Sequence, residues 1–107
     1  MDVTKLIIET IKNTLGEHGL ETRRIILFGS RARGTEREDS DWDLMVLIDR
    51  DITFQEKKLL TTWLKRILAR KKIPNDIIIK SVNNYEKLKN SPGHIAYHAE
   101  REGLALL

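Results

Sequence analysis

The sequence predicts a small α/β domain in which helices pack on a mixed β-sheet of three or four strands. Three observations lead to this fold class: 107 residues suffice for one domain, 40% of them are hydrophobic, and helical and strand-like periodicities alternate along the chain. The order helix, strand, strand, helix, strand, helix is typical of a two-layer α+β arrangement. We therefore expect a single domain that covers residues 1–107.

The first two elements are a helix and a strand. Apolar residues recur at helical spacing in residues 3–18, where Asp2 can cap the start and Gly16 or Gly19 can end the helix in a left-handed turn. The short apolar run Arg24–Phe28 stops abruptly at a glycine. This pattern predicts a strand that ends in a tight turn.

The middle of the chain predicts a buried strand and the longest helix. After charged sequence in residues 31–40, the continuous apolar run Trp42–Ile48 predicts a strand that is buried on both faces. Apolar positions three and four apart predict an amphipathic helix over Thr53–Lys71. Trp42 and Trp63 stand among apolar neighbours, so we expect both in the core.

The last third of the chain predicts a strand, a helix and a short edge strand. A proline break precedes Asp76–Ile79, whose β-branched residues predict the third strand. Ser91 and Pro92 have the order of an N-cap followed by proline at the first helical position, and Gly103 is placed to end that helix. Leu104–Leu107 is expected to add an edge strand.

Composition and charge exclude several classes of function. The 19 basic and 16 acidic residues leave a net charge of +3, too small to indicate a polyanionic partner. A sequence without cysteine has no disulfide framework, zinc ribbon or thiol nucleophile. The longest apolar run, Leu44–Ile48, is far shorter than the roughly 20 residues that cross a bilayer, and no signal-peptide pattern is present. We expect a soluble cytoplasmic protein with no membrane partner.

Two aspartates stand two residues apart at the start of the second predicted strand. Side chains at such positions point to one side of a strand, so Asp41 and Asp43 are expected to share a face, with Cα atoms about 6–7 Å apart. Two adjacent carboxylates repel unless a cation lies between them, and Mg²⁺ prefers such oxygen ligands. Taken alone, the pair also fits a turn before a strand, where aspartate is common.

A glycine-serine turn adds the expectation of a phosphate site. Gly29 and Ser30 end the first strand, where glycine lets the backbone approach a ligand while the serine hydroxyl and the N–H groups form a cradle for an anion. The 12 residues from Gly29 to Asp41 are enough to bring the second strand back beside the first. The cradle and the carboxylates then lie at one edge of the sheet, which indicates a metal-bound nucleoside triphosphate.

The two motifs together resemble the signature of the DNA polymerase β-like nucleotidyltransferase superfamily. The matching residues are Gly29–Gly34 followed by Ser40–Leu44, and the likeness is to the minimal nucleotidyltransferase (MNT) members, which consist of the catalytic domain alone. The superfamily takes a third carboxylate from a later strand, and Asp76 stands at the corresponding position. A turn residue after a proline is the structural alternative for this aspartate.

The resemblance implies a mechanism with two Mg²⁺ ions, in which Asp41 and Asp43 bridge both ions and Asp76 holds the ion that binds the acceptor hydroxyl. It also implies that Gly29 and Ser30 steady the β- and γ-phosphates. A guanidinium beside a triphosphate offsets the charge that develops on pyrophosphate, so Arg31 or Arg33 is expected to contact phosphate. The resemblance implies that the nucleotide is ATP or another nucleoside triphosphate.

The resemblance further implies transfer of AMP to a hydroxyl of a partner protein, a HEPN-domain toxin for which the chain is the antitoxin, in a homo- or hetero-oligomer. The alternative is a non-catalytic antitoxin or nucleotide-binding module that neutralises its partner by occlusion. Transfer to a small molecule such as an aminoglycoside is a third interpretation. The basic residues within residues 57–72 lie on the polar side of the long helix, so we expect a solvated face and no direct nucleic-acid binding.

Overall fold

Five helices and four strands form residues 2–107, the part of the chain that the computed structural model describes. None of these helices is both long enough and apolar enough to pass through a lipid bilayer. The elements are α1 (Val3–Glu17), β1 (Thr22–Phe28), α2 (Gly29–Arg33), β2 (Trp42–Ile48), α3 (Phe54–Arg70), β3 (Asn75–Ser81), α4 (Val82–Leu88), α5 (Ile95–Glu102) and β4 (Leu104–Ala105).

The strands form one mixed sheet with the order β3-β2-β1-β4. β1 is antiparallel to both β2 and β4, whereas β2 and β3 are parallel, with α3 as the crossover between them. The predicted α/β class and mixed sheet are confirmed. The short edge strand is also present, limited to Leu104–Ala105.

Helices cover both faces of the sheet and create two cores of unequal size. The larger core lies between the sheet and the helices α1 and α3, and β2 contributes Leu44, Val46 and Ile48 to it. The alternate residues of β2, Met45 and Leu47, face the smaller core beneath α4 and α5. β2 is therefore buried on both faces as predicted, because its side chains alternate between two apolar layers.

The two long helices begin and end close to the predicted positions. The Asp2 carboxylate accepts a hydrogen bond from the Thr4 N–H at the start of α1, and Gly19 follows the end of α1 with φ +74°. The Thr53 hydroxyl accepts from the Glu56 N–H at the start of α3. Local capping chemistry thus sets these helix ends, which is why the sequence alone indicates them.

The predicted start of the last helix is wrong. Ser91 and Pro92 belong to a turn in which the Ser91 carbonyl accepts from the His94 N–H at 3.0 Å. The helix α5 begins only at Ile95, with His94 as its N-cap residue. Serine followed by proline is compatible with a turn as well as with a helix start, and here the turn is the conformation adopted.

The helix α4 was not predicted. It follows β3 without a loop, and the Ser81 hydroxyl caps it by accepting from the Asn84 N–H at 3.0 Å. The fully buried Tyr85 fixes it against the smaller core. With only seven residues, α4 has too few apolar positions for a helical period to be visible in the sequence.

Trp63 is a second correction, because its side chain lies outside the core with 49% of its surface exposed. The buried face of α3 is formed by Leu60, Leu64 and Leu68. Trp63 lies beside this row and contacts the ring of His18 edge-on, with 5.7 Å between the ring centroids. Trp42 is half-buried against the larger core, as expected.

Candidate active site

The register of the sheet brings two of the predicted carboxylates side by side. Asp43 of β2 and Asp76 of β3 are direct partners in the parallel pair, and Phe28 of β1 is the partner of Asp43 on the other side. Neighbouring strands lie about 4.8 Å apart, so the two aspartates are adjacent on one face. Asp41 precedes β2 by one residue and stands two positions before Asp43. The three residues therefore lie at the end of the sheet where β2 and β3 begin.

Asp43 is the electrostatic centre of this group. Burial raises the pKa of its carboxyl group above the ordinary value of 3.8, and the negative charges of Asp76 and Asp41 raise it further. The positive charge of Arg33 acts in the opposite direction. Asp43 therefore carries its negative charge at a cost that a bound cation would offset.

Gly29 packs directly against the Asp43 carboxylate. The backbone of Gly29 has φ +74°, a left-handed conformation that other residues adopt only with strain. A Cβ atom at this position would overlap Asp43 Oδ2 and lie 2.9 Å from its Cγ. Glycine is therefore required twice, once for the turn and once for the close approach of the backbone to the carboxylate.

Ser30 follows in the first turn of the five-residue helix α2. Its carbonyl oxygen accepts hydrogen bonds from the backbone N–H groups of Gly34 and Thr35, which closes the turn. Across residues 2–107, no hydrogen bond engages the Ser30 hydroxyl. The side chain is half-buried and remains available to a ligand at the glycine turn.

Arg31 supports the loop that leads to the aspartates. Its guanidinium donates to the Ser40 carbonyl from Nε at 3.1 Å and from Nη2 at 2.9 Å, and Nη2 also donates to the Glu38 carbonyl at 3.3 Å. The same group lies 4.7 Å from the ring centroid of Trp42. Arg31 thus uses its donors within the protein and holds Ser40 beside the start of β2.

Arg33, by contrast, is exposed, and its side chain makes no hydrogen bond or ion pair with any residue between 2 and 107. Its charge nevertheless lowers the pKa of the Asp43 carboxyl group. The two arginines that the sequence left as alternatives therefore differ in environment. Arg31 holds the loop in position, whereas the Arg33 guanidinium is open to a ligand.

Replacing each arginine with alanine is expected to separate these roles. Arg31→Ala should lower the free energy of unfolding by about 1–2 kcal/mol, because its carbonyl acceptors lose a charged donor. Arg33→Ala should leave thermal stability unchanged and weaken nucleotide binding, measured by titration calorimetry with an ATP analogue. Arg37→Ala removes an exposed arginine of the same loop and serves as the control. If Arg33→Ala destabilised the protein and Arg31→Ala changed neither stability nor nucleotide binding, the two roles would be contradicted.

Lys65 is a site residue that the sequence did not indicate. Its Nζ lies 3.1 Å from Asp76 Oδ1, although Lys65 belongs to the face of α3 that is expected to be solvated. The crossover helix places Lys65 beside the start of β3, a position that depends on how α3 packs on the sheet. The spacing of apolar and charged residues along α3 does not indicate that Lys65 contacts Asp76.

The donor set fits a divalent cation. Among residues 2–107, no three His, Cys, Asp or Glu side chains are grouped as a ready metal site, and Asp76 is engaged by Lys65. Three carboxylates at one end of the sheet are nevertheless the hard oxygen ligands that Mg²⁺ prefers. Burial and then the negative charges of Asp76 and Asp41 raise the pKa of the Asp43 carboxyl group, so a cation beside it would offset part of the cost of its charge. Asp41, Asp43 and Asp76 are thus chemically suited to hold Mg²⁺.

The fold and the carboxylate-glycine site define a nucleotidyltransferase. Residues 9–106 match the family described as polymerase beta, nucleotidyltransferase, and the chain belongs to this family. The glycine turn, both arginines of α2 and all three aspartates lie within the matched range. The predicted family and the predicted class of enzyme are thereby confirmed.

One curated protein and two solved structures are similar to this chain. The chain is similar to a candidate protein adenylyltransferase of Methanocaldococcus jannaschii, with 35% identity over 68 residues that make up 64% of this chain and 65% of the relative. A crystal structure described as a toxin–antitoxin with AMP-PNP has a TM-score of 0.67 and 18% identity, covering 99% of this chain and 73% of that one. A mutant of the toxin–antitoxin MntA-HpeT has a TM-score of 0.61 and 15% identity over 97% and 72% of the two chains. Both structures share the fold of this chain.

Proposed function

We propose that the protein is a Mg²⁺-dependent adenylyltransferase that transfers AMP from ATP to a hydroxyl group of a partner protein, and that it acts as the antitoxin of a HEPN-domain toxin. The observation that carries this proposal is the pairing of Asp43 with Asp76 beside the turn at Gly29. The names of the relatives support it, because one is named for protein adenylylation and the two structures are described as toxin–antitoxin complexes.

The chain's own residues divide the work of the reaction. Asp41, Asp43 and Asp76 would hold Mg²⁺, which when bound polarises phosphoryl oxygens and stabilises the entering and leaving oxygens. The Ser30 hydroxyl and the backbone N–H groups of the turn orient the β- and γ-phosphates.

The remaining groups act on the acceptor and on the leaving group. In this proposal a carboxylate oxygen of Asp76 takes the proton of the acceptor hydroxyl, and the contact with Lys65 orients that carboxylate. The acceptor oxygen forms a bond to the α-phosphorus while the bond to pyrophosphate breaks. Arg33 offsets the negative charge of the departing pyrophosphate.

The test uses the purified protein, Mg²⁺, ATP labelled on the α-phosphate, and the protein encoded by the neighbouring gene. Label should appear on the partner protein with the natural chain and with Asp39→Ala, which removes an exposed acid of the same loop. It should disappear with Asp41→Ala and with Asp43→Ala. ATP labelled on the γ-phosphate should transfer nothing, since that label leaves with pyrophosphate.

The occlusion hypothesis predicts a different result in the same experiment. If the Asp41→Ala and Asp43→Ala variants neutralise the partner as well as the natural chain does, neutralisation needs no transfer. Binding without catalysis would then be the function of the site.

A further inference from the structure

The strand β3 is at one edge of the sheet, and within residues 2–107 no strand pairs with its outer side. It pairs with β2 over its full length, from Asn75 to Ser81, and it is the outermost strand in the order β3-β2-β1-β4. The outer backbone N–H and C=O groups of an edge strand are a template for one more strand. A seven-residue edge is long enough to bind an extended peptide through main-chain hydrogen bonds.

A groove runs along this outer edge between β3 and α3. Its volume is about 410 Å³, and Ile77–Lys80 form one side of it. The side chains of Thr61 and Phe54 line the α3 side, and Phe54 has 73% of its surface exposed. An exposed aromatic ring beside an apolar strand edge offers contact area for the side chains of a peptide.

Lysine side chains give the groove a positive charge. Lys57, Lys58 and Lys65 of α3 and Lys80 of β3 line it. In the part of the chain that the structure describes, Lys57, Lys58 and Lys80 have no carboxylate partner within 4.0 Å. Burial lowers the pKa of the Lys80 ammonium group, and the positive charge of Lys57 lowers it further. These charges repel one another, and an acidic ligand in the groove would relieve the repulsion.

The groove leads directly to the candidate active site. Lys65 lines the groove and also contacts Asp76, the second residue of β3. A strand advances about 3.3 Å per residue, so the stretch from Asp76 to Lys80 covers about 13 Å. A peptide paired with β3 would therefore extend from the lysines to the carboxylates.

We propose that an extended, acidic segment of the acceptor protein adds to the sheet as a strand beside β3 and thereby presents its hydroxyl side chain to Asp76. This inference rests on the proposed function, since it names how the acceptor of that reaction is bound. Main-chain hydrogen bonds to β3 set the register of the acceptor segment relative to Asp76. Contacts between acidic side chains and Lys57, Lys58 and Lys80 supply the selectivity.

Two alternative roles for the groove predict different binding behaviour. Lysines on an edge strand also protect proteins against edge-to-edge aggregation, and that role needs no ligand. A basic groove also attracts single-stranded nucleic acid, whose backbone needs charge but no strand pairing. Strand addition alone requires both an acidic peptide and free amide groups on that peptide.

The probe is a short fluorescent peptide in which glutamate and valine alternate, with one tyrosine at its end. Fluorescence anisotropy should show saturable binding to the full chain. Binding should be lost when alternate valines are replaced with proline, which removes the amide donors, or when lysine replaces glutamate. In the protein, Lys57→Glu/Lys80→Glu should weaken binding about tenfold or more. Lys5→Glu/Lys12→Glu makes the same charge change on the exposed face of α1 and should leave binding intact.

Amide chemical shifts locate the peptide on the protein. The largest changes should fall in Ile77–Lys80, and the opposite edge strand, Leu104–Ala105, should be unaffected. Equal binding of the proline-containing peptide, or tighter binding of a single-stranded RNA than of the acidic peptide, would overturn the inference. So would the absence of any peptide binding.

Transfer of AMP to the tyrosine of the bound peptide is measured separately. Asp43→Asn should abolish transfer and leave peptide binding unchanged. Peptide that binds at β3 but receives no AMP from the natural chain contradicts the proposed function and leaves the docking surface established.

Discussion

The Asp43→Asn variant is expected to lose nucleotidyl transfer while becoming more stable than the natural protein in the absence of divalent metal. Transfer should fall by about 100-fold or more, because a charged oxygen that stabilises the transition state is removed. The free energy of unfolding should rise, since the variant no longer places a partly buried charge beside Asp76 and Asp41.

The stability difference should depend on pH in a defined direction. The pKa of the Asp43 carboxyl group is raised in the folded protein above its ordinary value of 3.8. Between pH 3.8 and the raised pKa, the carboxyl group is ionised in the unfolded chain but still protonated in the folded chain. The free energy of unfolding of the natural protein therefore falls as pH rises through this window. The Asn variant lacks this loss, and the two unfolding curves should converge below about pH 3.8.

Thermal unfolding with a chelator and then with Mg²⁺ measures both effects. The natural protein should be stabilised by Mg²⁺, and Asp43→Asn should respond much less. Asp39→Asn changes an exposed acid of the adjoining loop and should match the natural protein in stability and activity. If Asp43→Asn is less stable than the natural protein at neutral pH without metal, the Asp43 carboxylate stabilises the folded protein, contrary to this prediction.

Gly29→Ala is expected to damage both the fold and the site. The positive φ of Gly29 makes alanine unfavourable, and the added Cβ would force Asp43 away from its position between the turn and Asp76. The expected cost is about 1–3 kcal/mol in the free energy of unfolding. Transfer should fall by about 100-fold because a displacement of about 1 Å in a catalytic group has effects of this order.

Gly34→Ala is a matched control for this prediction. Gly34 has φ +73°, almost the same as Gly29, but a Cβ atom there would meet no heavy atom within 4 Å. Gly34→Ala therefore has the backbone strain without the overlap and should retain transfer. Equal loss of transfer in the two variants would show that backbone strain, and not contact with Asp43, limits the reaction.

The double variant Gly29→Ala/Asp43→Ala tests the contact itself. Removing the Asp43 side chain beyond Cβ takes away the overlapping Oδ2 and Cγ atoms and leaves a tight contact of 3.2 Å between the two Cβ atoms. The double variant should therefore be less destabilised than the sum of the two single variants, which a double-mutant cycle measures. If the changes in unfolding free energy of the two single variants simply add, the destabilisation by Gly29→Ala does not come from contact with the Asp43 side chain.

The main elements of the fold follow from short stretches of sequence. α1, β2 and α3 were predicted to within one or two residues because each has a clear apolar period and local caps such as Asp2 and Thr53. The start of α5 was predicted wrongly, because Ser91 followed by Pro92 is compatible with either a helix start or a turn. α4 was missed because seven residues are too few for a period to appear.

What the sequence determined by itself is the family, the place of the aspartates at the starts of two strands and the glycine turn at position 29, since these depend on residue type and spacing within short segments. The tertiary structure alone decided which distant groups meet. The Arg31 guanidinium donates to the Ser40 carbonyl, whereas Arg33 is exposed. Lys65 of α3 contacts the Asp76 carboxylate. The tertiary structure also left the outer edge of β3 beside a basic groove. These contacts depend on the packing of the crossover helix and on the closing of the loop, which no periodicity along the chain encodes.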